Sequence, residues 1–139
     1  MSYKIISKFI KDISFEIPSV QTFVMLEKEI QKYNLTFNVK SNTFKENIIE
    51  VNTILSLVAS QEVKRKILTE INFTTLISFE MPLPDKKELE KIILINVPTE
   101  MYPTLYETFV YLFTQAGIKN ITIKKDVDFE KLYNEKNKS

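Results

Sequence analysis

The sequence predicts an α+β fold in which strands of an antiparallel sheet fill the first half and helices the second. Three observations predict it. Lys11–Ile17 and Asn34–Lys40 alternate polar and apolar residues, the period of a strand with one buried face. Ile48–Ala59 is rich in β-branched and aliphatic residues and is followed, across a short turn, by a second such stretch. The segment between Pro103 and Gly117 repeats its apolar residues at helical spacing.

Each element follows from local chemistry. Lys11-Asp12-Ile13-Ser14-Phe15-Glu16-Ile17 is the first strand, closed by Pro18. Val20–Lys28 stays open between a loop and a short helix serving Val20, Phe23, Val24 and Leu26. Asn34–Lys40 is the second strand, with Ser41-Asn42-Thr43 as turn chemistry after it. Ile48–Ala59 carries apolar residues on both faces and is the third, central strand. A turn near Ser60-Gln61-Glu62 leads into a fourth strand, Val63–Ser78, and short turns between neighbours favour antiparallel pairing.

Pro82-Leu83-Pro84 breaks the pattern. Asp85–Lys91 reads as a charged surface connection or one to two helical turns. Glu100–Ala116 is the long helix, with Pro103 expected in its first turn and Gly117 as its left-handed cap. Leu105, Phe109, Leu112, Phe113 and Ala116 form one stripe, and Tyr106, Val110 and Tyr111 widen it. Two readings fit so broad an arc: a core helix whose aromatics partly face solvent, or a helix between its own sheet and another subunit. The second is favoured, because one sheet covers one side only. Ile118–Ile123 looks extended, and a last short helix starts from Asp128 and presents Phe129, Leu132 and Tyr133.

Composition narrows function by subtraction. The 139 residues suit a single domain, 1–139, with 44% hydrophobic and 27% charged residues. There is no Cys and no His, which removes thiol chemistry, the commonest general base and the commonest metal ligand. The one glycine excludes a glycine-rich phosphate loop. No catalytic residue, cofactor or metal site is expected, although Ser, Thr, Tyr, Lys and carboxylates remain. A net charge of +1 gives no general attraction to nucleic acid or to an acidic membrane. No apolar run approaches the ~20 residues of a membrane-spanning helix. Met1–Lys8 lacks a signal-peptide layout, so the chain is expected in the cytoplasm.

Two surfaces stand out. If the first and fourth strands share a wet face, Asp12, Glu16 and Glu70 surround Leu68, an apolar anchor with an acidic rim. A solvated face with one stray leucine explains the same residues. The row Tyr33, Leu35, Phe37 and Val39, with Ile121 and Ile123, is either core packing or an open groove for extended polypeptide.

At these residues the chain resembles the SecB protein-export chaperones. Lys11-Asp12-Ile13-Ser14-Phe15-Glu16-Ile17-Pro18 looks like that family's first strand. Pro98 and Met101-Tyr102-Pro103 resemble the proline-bracketed entry to its long helix, and Val127–Tyr133 its closing helix. The resemblance implies a four-stranded antiparallel sheet packed by one long helix and a short C-terminal helix, assembled as a dimer of dimers. Long helices would pack between sheets, placing Leu105, Tyr106, Phe109 and Phe113 at an oligomer interface. It also implies ATP-independent binding of unfolded preproteins in apolar grooves, here at Tyr33, Leu35, Phe37, Val39, Ile121 and Ile123. Delivery to the SecA motor would use Asp12, Glu16, Leu68 and Glu70 on the outer face of the sheet. The near-neutral charge, the lysine-bearing tail and the missing arginine after Pro103 depart from the family pattern. They leave room for the alternative of a SecB-like chaperone dedicated to an antitoxin.

Overall fold

A computed structural model describes residues 3–119 and 127–136 of the chain. Among them the elements run β1 (Tyr3–Glu16), α1 (Val20–Glu29), β2 (Tyr33–Lys45), β3 (Ile48–Ala59), β4 (Leu68–Phe79), α2 (Lys86–Lys91), α3 (Val97–Gln115) and α4 (Phe129–Lys136). The strands form one antiparallel sheet in the order β1-β4-β3-β2. β1 and β2, neighbours in sequence, therefore lie on opposite edges.

β3 has the predicted limits, because a central strand shows its pattern on both faces. β1 starts eight residues before the expected Lys11. Register shifts between Ile5 and Ser7 and between Ile10 and Asp12 interrupt its alternation, so the period of two fails there although pairing with β4 continues. β2 runs through Ser41-Asn42-Thr43 instead of turning; these residues pair with Val51, Glu50 and Ile49. The turn lies at Glu46 and Asn47, and the Asn47 side-chain amide donates to the Phe79 carbonyl at 3.3 Å. β4 begins at Leu68, not Val63. Val63 and Ile67 are buried without belonging to the ladder, and the Ile67 N–H is spent on the Tyr33 hydroxyl.

The core lies between one face of the sheet and α3. Val51, Leu55, Ile71 and Ile77 from the sheet meet Leu105, Phe109 and Phe113 from the helix. Phe109 and Phe113 stack at 4.4 Å between ring centroids, and Phe15 of β1 meets Phe113 edge-on at 5.2 Å. Full burial of such side chains contributes about 1.5–3 kcal/mol each.

α3 starts three residues before the expected Glu100, and Pro103 lies in its second turn, not its first. Pro98 occupies the first turn. A widened turn over Ile92–Asn96 precedes it, in which the Val97 N–H reaches the Ile92 carbonyl five residues back. That extra residue joins α2 to α3 and makes space where a proline ring would meet the preceding turn. Gly117 ends α3 at φ +85°; its N–H donates to the Thr114 carbonyl, and that of Ile118 to Phe113. This paired closure satisfies carbonyls the helix leaves open.

Candidate functional site

Strand register brings the predicted outer patch together. Across the β1–β4 pair, Glu16 faces Leu68, Ser14 faces Glu70 and Asp12 faces Asn72. All six alternate onto the face away from the core. Leu68 is 57% exposed, and no carboxylate of the patch makes an ion pair among the described residues. Glu70 also faces Ser56 on β3, which carries the polar face inward across the sheet.

Beside the patch lies a second polar group that sequence reading missed. The Glu50 carboxylate accepts from Lys11 Nζ at 3.0 Å and from Asn52 Nδ2 at 2.6 Å; Asn52 Oδ1 accepts from Thr74 Oγ1 at 2.6 Å. The hydrogen bond from Asn52, then that from Lys11, holds the Glu50 carboxyl below its ordinary range. Lys11 sits at the second register shift of β1, which aims it off the strict alternation. No spacing rule reveals that.

The predicted groove is only partly open. Tyr33 is 7% exposed and belongs to the core, its hydroxyl accepting from the Ile67 N–H at 3.0 Å. Burial raises its pKa. Leu35, Phe37 and Val39 are half-buried. The Phe37 ring lies 5.6 Å from Tyr102 and 5.4 Å from Phe129, so α4 caps the middle of the row. A cleft of about 120 Å³ remains beside Val39, Leu94, Leu132 and Tyr133. Ile121 and Ile123 lie outside the described residues.

A larger apolar surface lies on α1, in the segment the sequence left open. Ser19 caps the helix, its Oγ accepting from the Thr22 N–H at 3.1 Å. The helix buries Thr22 and Leu26 and turns Val20, Phe23, Val24 and Met25 outward. An apolar set facing solvent inverts the usual pattern, so hydrophobic periodicity could not decide this segment. Ser19 before Val20 was the signal available. Two clefts flank the exposed side: one of about 580 Å³ towards Gly117 and Ile118, and one of about 470 Å³ towards Glu62, Lys64 and Arg65. They meet at Val24.

Of the expected interface residues, Leu105, Phe109 and Phe113 are fully buried by the chain's own sheet and present nothing to a second subunit. Tyr106 keeps part of its surface, while Tyr111 is 62% exposed between half-buried Val110 and Leu112. The β1 edge adds exposed Ile6, Phe9, Ile10 and Ile13. Among the described residues, no helix is long and apolar enough to cross a membrane.

An antiparallel sheet with an acid-rimmed outer face, a long helix behind it and apolar clefts apart from both suits a protein that binds other chains. The sequence model of the family described as preprotein translocase subunit SecB matches residues 1–139. The chain belongs to the SecB family. It is 41% identical over 135 residues to a Pelagibacter ubique protein named "Putative protein-export protein SecB", covering 97% of this chain and 96% of that one. To the SecB protein-export protein of Nitrosospira multiformis it is 28% identical over 125 residues, covering 90% and 76%. Among solved structures, the fold is similar to a Mycobacterium tuberculosis SecB-like chaperone in complex with a peptide from the HigA1 antitoxin. That likeness has a TM-score of 0.69 at 13% identity, over 90% of this chain and 88% of the other. SecB membership supports a chaperone role in protein export.

Proposed function

We propose that this SecB-family protein is an ATP-independent, non-catalytic holdase of the cytoplasm that keeps preproteins unfolded and delivers them to SecA. The observation that carries the reading is the separation of two surfaces sharing no residue. The exposed apolar side of α1, with its clefts and the Leu35, Phe37 and Val39 row, is the client surface. Burial of apolar area is non-directional, so such a surface accepts many sequences. Asp12, Glu16 and Glu70 around Leu68 form the SecA-docking patch, which stays exposed while the client surface is filled. Tyr106, Val110 and Tyr111 on α3, with the apolar β1 edge, contribute contacts in a dimer of dimers.

The test dilutes an unfolded preprotein into buffer without nucleotide, with and without the protein, then passes SecA over the immobilised complex. Suppressed aggregation and retained SecA are expected. Unchanged aggregation would sink the holdase reading, and absent SecA would sink delivery. The narrower reading, a chaperone of one antitoxin, has a counterpart in the peptide complex of the mycobacterial neighbour. Suppression confined to an antitoxin peptide would favour it.

A further inference from the structure

Two successive residues of β1 reach the same face of the sheet and carry opposite charges. In a regular strand Lys11 and Asp12 would point to opposite sides; the register shift between Ile10 and Asp12 brings both to the outer one. Lys11 nevertheless makes no ion pair with Asp12. Its Nζ lies 3.0 Å from Glu50 Oε2 on β3, so the side chain crosses β4, the strand between them. The Glu50 carboxylate is held there by Asn52 at 2.6 Å, and Asn52 by Thr74 at 2.6 Å. Asn52 and Thr74 are both buried. Of the lysines on β1 and β4, which are Lys4, Lys8 and Lys11, only Lys11 adjoins a carboxylate of the outer patch in sequence. Lys66 is exposed in the loop before β4 and lies outside both strands.

We infer that Glu50 is a positioning residue for the docking of a basic partner surface: it holds Lys11 across β4 and so keeps that cation off Asp12. The inference rests on the SecA-docking reading above and adds what preserves the charge of the patch. Asp12, Glu16 and Glu70 are exposed and make no ion pair among the described residues, so their charge is open to a partner. Lys11 released from Glu50 would neutralise part of it, because opposite charges on neighbouring residues of one face attract. Glu50 itself stays outside the patch: it faces Leu76 on β4, whereas Glu70 faces Ser56. The buried hydrogen bonds through Asn52 and Thr74 fix its carboxylate within reach of Lys11.

The test measures SecA affinity by surface plasmon resonance for the full chain and three variants: Glu50→Gln, Lys11→Gln and the two together. Glu50→Gln should bind SecA roughly two- to fivefold more weakly, the range of one exposed charge pair. Lys11→Gln should bind at least as tightly as the unaltered protein, and the double variant should return to within about twofold of it. The loss in Glu50→Gln should shrink with added salt, with client binding and circular dichroism unchanged. A bond that only braces the sheet predicts otherwise, since both single variants and the double one would then weaken docking. Lys11→Gln leaves the hydrogen bonds from Glu50 through Asn52 to Thr74 in place, so its affinity decides the matter even where Glu50→Gln lowers stability. Equal affinities for the unaltered protein and Glu50→Gln overturn the inference while the docking reading stands. Weaker binding by Lys11→Gln, or no rescue in the double variant, overturns it in the same way. Failure of the unaltered protein to bind SecA overturns both.

Discussion

The backbone N–H of Ile67 donates a 3.0 Å hydrogen bond to the hydroxyl of Tyr33, 34 residues earlier in the chain. It ties the start of β2 to the approach of β4 in a place no ladder reaches, and it gives Tyr33 a structural task. Tyr33→Phe should leave the buried N–H without an acceptor and cost about 1–3 kcal/mol. Urea unfolding should show the lower midpoint with an unchanged slope. Reduced client affinity without lost stability would return Tyr33 to the groove.

Glu50 predicts an acid limb. Hydrogen bonds from Asn52 and Lys11 lower its pKa in the folded state from an ordinary 4.5, so the native protein binds its proton less readily than the unfolded chain. The stability this contributes is present above 4.5 and is lost as pH falls through the lower folded value. Thermal melts of Glu50→Gln should be less stable at neutral pH and flatter between neutral and acid conditions. Parallel pH profiles for the two proteins would refute the assignment.

For the outer patch, Leu68→Arg with Glu70→Lys replaces the anchor and reverses part of its rim. SecA affinity should fall at least about tenfold, roughly 1.4 kcal/mol, with client binding and folding retained. Surface plasmon resonance with SecA reads this directly. Unchanged affinity removes these two residues from the handover.

Two aromatics of α3 separate folding from assembly. Phe109→Ala empties a fully buried site and should cost about 3–5 kcal/mol. Tyr111→Glu changes an exposed side chain and should leave the monomer fold intact while light scattering shows dissociation. A tetramer insensitive to Tyr111→Glu would place the subunit contact elsewhere.

Legibility in the sequence followed from which physical signals were local. β3, the Gly117 cap and the N-cap Asp128 rest on residue type within one turn or strand, and they were readable there; the Asp85 cap of α2 was not read, because Asp85–Lys91 looks like a charged surface connection. The first half of β1 was not, because its register shifts depend on the partner strand. Pattern placed Leu105, Phe109 and Phe113 on one helical stripe and favoured a helix held between its own sheet and a second subunit; it could not show that the chain itself buries all three. The outer patch rested on a guess that β1 and β4 share a face; pairing of Glu16 with Leu68 supplies the missing relation. The α1 surface stayed hidden because a helix there buries a threonine and exposes valines.

The strand order has a consequence in time. β1 leaves the ribosome before β4, and its partners there lie from 52 residues away (Glu16 with Leu68) to 76 (Tyr3 with Phe79). At about 5–20 residues per second, the wait is roughly 3–15 s. Throughout it Ile5, Ile6, Phe9, Ile10, Ile13 and Phe15 lack their partner strand, while β2 and β3 are free to close their hairpin locally. During its own synthesis the chain thus passes through a stretch as an unpaired apolar segment.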